Sequence, residues 1–444
     1  MKIELDPQQG YVVNGHFDQY EALKSVGVKA AVCYKEVLND KLISQSEIRK
    51  ESDAILINRA LNTIFLDHTT PSEHQMVSLE ITSIPKILCM VLNNEKQYTA
   101  DERSLRYTSV YNNQYISELE VKLYNKWRLI FENLIKKKMF DFYLKYNKTE
   151  KKALQAIHKI AQENARYMVS VFMPTTITYT VPFIQLNKLL VYMQRIIKNP
   201  NDKLEEMLIP YFKEFINLCI SKNVALTKNS IYNVVIKNED VKNRLFKKYP
   251  EIKQYVGSNE LLYKNNKDID LSLFASRNKF SGINLENEYG VNVSYNNFES
   301  FACLAQEQRH RTIDCEMLVL DNFQCFVPPI LIDFKDKNLI NEYLNDMFLV
   351  SNYFPQGQLV KVNRLMSVKN LLKFVSQERA CEMAQLEIEN VYIKNIIPDL
   401  YDALAKRNDS LKEQVKPYVK RKRCQFPGYH CPNPCSHVRM DRKV

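Results

Sequence analysis

Glycine is scarce in this chain of 444 residues, at eight. The few glycines form neither a Gly-x-Gly-x-x-Gly after a strand nor a Gly-x4-Gly-Lys-Ser/Thr. A Rossmann dinucleotide fold and a P-loop are therefore unsignalled. Any phosphate must be held by side chains, chiefly Arg with Ser/Thr hydroxyls, or by helix N-termini. His-Glu-x-x-His and Gly-x-Ser-x-Gly are also absent, which leaves metalloprotease and serine-hydrolase classes without support. No apolar run reaches the roughly 18 residues of a membrane helix. The segment 168–184 comes closest, but Pro174 and Pro182 interrupt it and it is rich in Thr. The opening Met-Lys-Ile-Glu-Leu-Asp has no apolar signal core, and the expected location is cytoplasmic with no membrane partner.

The chain is ordinary in bulk, 45% apolar and 25% charged, and long enough for two domains with normal cores. Its formal charge of +11 suits polyanionic partners or phosphorylated small molecules, and equally a solvated basic surface. Only Lys416 to Arg423 is densely basic. Of ten cysteines, seven lie singly in apolar surroundings, as reduced core thiols do. Cys424, Cys431 and Cys435 crowd the C-terminus.

Residues 18–66 read as mostly helical, with Ser46 as an N-cap. The run 75–93, rich in Val, Ile and Leu, reads as a buried strand pair turning near Ser83-Ile84-Pro85. Residues 114–165 form a long amphipathic helical stretch. A Thr/Ile/Tyr segment bracketed by Pro174 and Pro182 is β-like, and a helix follows to about Ile197. Residues 201–270 read as a join. From about 290 the order recurs: an apolar segment (298–304), strand-like runs (317–320 and 326–333), a helix (337–350), an extended Phe354-Pro355 and a long final helix (367–395). This matching order implies a divergent internal duplication. The expected division is 1–215, 216–415 and a basic Cys/His tail at 416–444.

Four motifs carry chemistry. His68-Thr-Thr70-Pro-Ser-Glu73-His74 gathers two histidines and a glutamate before a strand, as a polar loop or part of a binding site. Asp101-Glu102-Arg103-Ser104-Leu-Arg106-Tyr107 offers an arginine fork and a hydroxyl for phosphate, or simply a charged turn. Gln306-Glu-Gln-Arg309-His310-Arg311 is a cationic patch at a strand end, suited to a diphosphate or to solvent. In the helix after Ser367, Leu372, Val375, Met383 and Leu386 share one face with Arg379. An arginine in an apolar stripe is costly unless Glu378 or Glu382 pairs with it, or it meets an anion in a site.

In order and approximate spacing these motifs resemble the flavin-dependent thymidylate synthase family. The segment 68–74 is similar to that family's His-x-(Ser/Thr)-x-x-Glu-His. Asn94 to Tyr107 keeps the Asn-Glu-x-Ser-x-Arg-Tyr half of its next motif as Asp101-Glu102-Arg-Ser104-Leu-Arg106-Tyr107, and loses the preceding Arg-His-Arg. Ala165-Arg166 with Met173-Pro174 resembles Ala-Arg-x-x-Leu-Pro with an insertion. In the second half, Gln306-x-x-Arg309-His310-Arg311 matches Gln-x-x-Arg-His-Arg, but no Ser-x-Arg-Tyr follows. Arg379 to Ile388 matches Arg-x4-Ala-Gln-x-Glu-Ile, whereas the first half has Arg195 there without the rest.

The resemblance implies an α/β fold, here two copies of a twisted antiparallel sheet flanked by helices, in a homo-oligomer in which a dimer would mimic the family's tetramer. It implies reductive methylation of dUMP with FAD, methylenetetrahydrofolate and NADPH. Glu102, Ser104, Arg106, Gln306 and Arg166 would hold dUMP. His68, Thr70, Glu73, Arg309, His310 and Arg311 would meet the flavin, and Arg379 would stabilise negative charge on the uracil ring. No cysteine nucleophile is required. Because the surviving halves of the split motif sit in different repeats, the site is expected between them. The alternative is a pyrimidine-nucleotide-binding protein of the same fold with lost or altered catalysis. The tail's Cys424, Cys431, Cys435 and His437 could hold Zn²⁺ or stay as thiols. It has few interleaved aromatics (Tyr418, Phe426, Tyr429), which argues against nucleic acid.

Overall fold

The computed structural model describes residues 1–226, 260–261 and 292–431, apart from 9, 35–43, 67, 69, 95–96, 105–109, 111–114, 373–375 and 405–408. Contacts divide the chain into two compact units, each discontinuous in sequence. Unit 1 is Met1–Arg103 with Pro174–Lys247, and unit 2 is Ser104–Met173 with Lys248–Val444.

Unit 1 is built on strands β1 (Lys2–Leu5), β4 (Met76–Pro85), β5 (Thr99–Glu102) and β6 (Pro174–Pro182), in the order β1-β4-β6-β5 and antiparallel throughout. A short ribbon of β2 (Val12–Val13) and β3 (His16–Phe17) precedes the helices. β6 spans the segment between its two prolines, because proline lacks the donor a ladder needs and is tolerated at strand ends. Helices α1 (Gln19–Tyr34), α2 (Gln45–Ile48), α3 (Asp53–Phe65) and α4 (Thr70–Glu73) precede β4. α1 meets α3 at Gly27, where any side chain would strike the Leu56 carbonyl. α8 (Phe183–Lys198) and α9 (Lys203–Ser221) follow β6, the latter capped by Asp202.

Three expectations change in unit 1. The apolar run after Pro85 is not a second strand but helix α5 (Lys86–Asn94). Ile87 to Leu92 are all buried, and a short run buried on every side has no period to tell helix from strand. The chain passes Ser83 with φ 56 at a bulge in β4, without reversing. The N-cap of α2 is Ser44 rather than Ser46, in a reciprocal capping box with Glu47.

Unit 2 contains α6 (Glu118–Asn147) and α7 (Glu150–Ala165), which form a helical hairpin. Ser117 and Glu120 close a capping box on α6, Lys148 ends it in the left-handed region, and Thr149 caps α7. The hairpin shares a core with helix Lys337–Leu349: Trp127 lies edge-on to Tyr343 at 4.9 Å, and Phe131, Ile157 and Met347 pack around them. Burying one such side chain stabilises by about 1.5–3 kcal/mol. The Trp127 indole N–H donates to Asp346 at 2.8 Å, and Lys126 reaches the same carboxylate at 2.5 Å.

The sheet of unit 2 holds β7 (Glu260–Leu261), β8 (Asn292–Ser300), β9 (Asp314–Val319) and β10 (Leu359–Ser367) in the order β7-β8-β10-β9, again antiparallel. Numbered along the chain, both sheets run first-second-fourth-third, and in both the second strand leads straight into a helix. Two further expectations change here. Residues 326–333 are not a strand but a loop ending in the short helix Pro329–Asp333. Pro328 and Pro329 supply no ladder donors, and Pro329 suits a first helical turn. The long helix expected over 367–395 is broken: short helices at Val368–Asn370 and Ser376–Arg379, non-helical residues 380–385, then helix Leu386–Asn390 running into a π-helical Val391–Ile396. No glycine or proline marks that break; contacts from residues 416–431 accompany it. No helix among the described residues is long and apolar enough to cross a membrane.

Candidate functional site

The polar centre of unit 2 is assembled from four short stretches. Ser300 caps the helix Phe301–Glu307 by accepting from the Cys303 N–H at 3.1 Å. The same hydroxyl donates to Glu387 at 2.5 Å, and the Ser300 N–H donates to the other carboxylate oxygen at 2.7 Å. Tyr167, in the 3-10 turn after α7, adds its hydroxyl at 3.0 Å. Glu387 is thus a buried carboxylate ringed by donors. Burial still holds its carboxyl above the usual range, against the pull of Ser300, Tyr167 and Arg166.

Gln385 is the hub beside it. Its amide oxygen accepts from the Arg166 guanidinium and from the Gln306 amide, and its NH₂ donates to the Tyr167 hydroxyl. Two buried polar atoms border this hub without a hydrogen-bond partner among the described residues: the donor Arg166 Nε and the acceptor Gln306 Oε1. Buried polar groups are normally paired, so an unpaired donor and an unpaired acceptor on two residues that meet at Gln385 point to a ligand. Arg379, at the end of Ser376–Arg379, donates from Nε to His310 Nε2 at 2.7 Å, so that ring nitrogen is the unprotonated one. Glu378 lies 3.6 Å from the Arg379 guanidinium and 3.7 Å from the imidazole.

Under these groups lies a fully buried ionic set. Arg364 on β10 donates to Glu307 at 2.6 Å and also bonds Glu299 and Asn297; the Tyr392 hydroxyl donates to Glu307. Burial first, and then the neighbouring Glu307 and Glu387, push the Glu299 carboxyl well up, with Arg364 opposing. The set fixes Glu307, whose carbonyl accepts from the His310 N–H at 2.9 Å, and so fixes the turn that follows Gln306.

Residues 17–195 match the family model described as thymidylate synthase complementing protein. The match covers less than half of the chain, which over that stretch is similar to this family. The matched stretch carries His68, Glu73, Glu102, Ser104 and Arg166, and ends before Gln306. No curated protein matches the chain.

Of the residues singled out in the sequence, Arg166 and Gln306 meet at Gln385 and Arg379 meets His310, both within unit 2, Arg166 arriving from the family-matched stretch. The Gln306–Arg311 patch follows a helix rather than a strand, with His310 buried between exposed Arg309 and Arg311. The stripe proposed around Arg379 is not there. Met383 is 64% exposed, Val375 lies outside the described residues, and only Leu372 and Leu386 are buried. Glu378 does approach Arg379, but Glu382 pairs with Lys422 instead.

In unit 1, Glu102 on β5 has its carboxylate against Lys86 at 2.5 Å, with little solvent contact. Thr70 starts α4 and is exposed, Glu73 ends it half-buried, and exposed His68 donates its N–H to the Thr63 carbonyl at 3.0 Å. Ser104 is half-buried in the stretch that opens unit 2. Arg106 lies outside the described residues, as do Cys435 and His437. Cys424 is exposed and Cys431 half-buried, and among the described residues no group of three His, Cys, Asp or Glu is placed for a metal.

Sequence reasoning assigned no role to Tyr167, Ser300 or the Arg364 set. A signal existed for Arg364: Val360, Val362 and Met366 alternate with it on one buried strand face, where an arginine demands partners.

Proposed function

We propose that the protein methylates dUMP reductively to dTMP, using methylenetetrahydrofolate and NADPH with bound FAD, at a site to which both halves of the sequence contribute. The observation that carries this is the Gln385 hub, with the orphaned donor on Arg166 and the orphaned acceptor on Gln306. The imide edge of uracil presents the complementary pair, a carbonyl beside an N–H. The common strand order of the two sheets supports the duplication on which a pooled site rests.

The donor set suits a flavin dinucleotide. Arg309 and Arg311 are exposed on either side of buried His310, and such guanidinium forks hold phosphate oxygens. When bound and reduced by NADPH, the flavin would supply the hydride that converts the transferred one-carbon unit to a methyl group. The chain's own part is electrostatic. Making C5 of uracil nucleophilic places negative charge on the ring, and Arg379 in a mostly buried position stabilises it better than water does. His310 fixes the direction of that guanidinium by accepting its Nε–H. Glu102, Ser104 and Arg106 would hold the nucleotide's sugar and phosphate, and His68, Thr70 and Glu73 the flavin side. Two chains would pair to supply the four sheets of the family's tetramer.

One observation favours the second reading, a nucleotide-binding protein without this chemistry: Lys86 already neutralises Glu102. The two are separated by adding FAD to the purified protein and reading its visible spectrum, then measuring tritium release from C5-labelled dUMP with both co-substrates. Flavin uptake with release supports the enzyme. A colourless protein that releases nothing refutes it.

A further inference from the structure

The chain passes from Arg379 to Gln385, the two residues that frame the site, through 380–384, a stretch in no regular element. Within it the Ala384 N–H donates to the Cys381 carbonyl at 2.8 Å. After it the chain enters a continuous helical run from Leu386 to Leu404. The turn itself has no regular element to hold its shape. His310 orients the Arg379 guanidinium, but something else must fix the backbone that carries it.

That something comes from the C-terminal stretch, by three kinds of contact. The Arg423 N–H donates to the Ala380 carbonyl at 2.9 Å. Lys422 pairs with Glu382 and, at 3.0 Å, with Glu389, so one ammonium ties the turn to the helix that carries Glu387. Phe426, 4% exposed, packs on Ala380 and Ile393, and Tyr418 braces it at 4.9 Å between ring centres. Both carboxylates that Lys422 meets are largely buried, so its charge acts where screening is weak. The basic run that could pass for a solvated tail is therefore partly spent inside the protein.

We infer that residues 418–426 form a strap that sets the 380–384 turn, and that Lys422 and Phe426 are positioning residues for Arg379. The effect on turnover rests on the thymidylate reading above; the effect on the turn does not. Two measurements separate them, both on the full chain. The first is hydrogen exchange of the backbone amides in 379–385, with 301–307 as the internal reference. The second is tritium release from C5-labelled dUMP. Lys422→Met is expected to speed exchange in 379–385 and leave 301–307 unchanged. It is expected to lower kcat by about 10- to 100-fold, the range that follows displacement of a charge-stabilising group by up to about 1 Å. The dUMP KM should change less than kcat, since Arg166 and Gln306 lie outside the turn and only their partner Gln385 sits at its end. Lys422→Arg should restore both readouts, which a loss of general stability would not allow. Phe426→Leu should leave exchange near wild type and Phe426→Ala should raise it. Wild-type exchange across 379–385 in both Lys422→Met and Phe426→Ala would overturn the strap. If the wild-type protein releases no tritium, the thymidylate reading falls and the exchange data still decide the strap.

Discussion

Replacing Arg364 by Met is the sharpest test of how unit 2 holds its site. The guanidinium is fully buried and serves Glu299, Glu307 and Asn297 at once. Methionine has about the right volume and no charge, so the variant strands two buried carboxyl groups. Removing one partner of a buried ion pair costs about 3–5 kcal/mol. That is a large part of the roughly 5–15 kcal/mol that stabilises a typical domain. The loss should depend on pH, with a definite sign. The Glu299 carboxyl is held above its ordinary value of 4.5 in the fold, so above that pH the native state binds more protons than the unfolded chain. Stability therefore falls as pH rises through the window above 4.5, by at most about 1.4 kcal/mol per pH unit for this carboxyl. Without Arg364 to oppose it the carboxyl is held higher still, and the window widens. The deficit of Arg364→Met should be smaller at pH 5 than at pH 7. Trp127, the single tryptophan, is buried in the same unit and reports its unfolding in urea by fluorescence. Adding Glu299→Leu should return part of the loss. A deficit below about 1 kcal/mol at pH 7, or one that does not change with pH, would refute the account of a guanidinium holding two buried carboxylates together.

Arg379→Ala should abolish tritium release while leaving the circular dichroism spectrum and melting temperature near wild type; unchanged turnover removes its assigned role. Arg106→Ala should weaken dUMP binding more than any other single arginine replacement, and wild-type affinity in a calorimetric titration removes it from the site. Gly27→Ala would place a Cβ 2.0 Å from the Leu56 carbonyl oxygen, forcing α1 off α3. It should lower stability by about 1–3 kcal/mol, and an unchanged melting temperature would contradict that contact.

Local signals in the sequence were enough for several elements. Pro174 and Pro182 delimit β6 because a missing donor is a local property of those residues. The amphipathic stretch 114–165 is the hairpin α6–α7, whose caps are spelled out in Ser117-x-x-Glu120 and in Thr149. The family motifs drew attention to Arg166, Gln306, His310 and Arg379, and the fold sets the first two against Gln385 and the last two against each other. Two of the errors share one cause. The run 87–92 is helical and the stretch 380–385 is not, and neither outcome is written in a propensity or a period: the first depends on being buried on all sides, the second coincides with contacts from 40 residues away.

By itself the sequence determined which side chains carry guanidinium forks, carboxylates and hydroxyls and in what order, because charge, fork geometry and spacing travel with the residues. Only the tertiary structure decided that Gln385 joins Arg166 to Gln306, that Arg364 gathers Glu299 and Glu307, and that Lys422 ties Glu382 to Glu389. Those partners lie tens to hundreds of residues apart, and no local rule of periodicity or propensity reaches across such distances; the packing of a shared core brings them together.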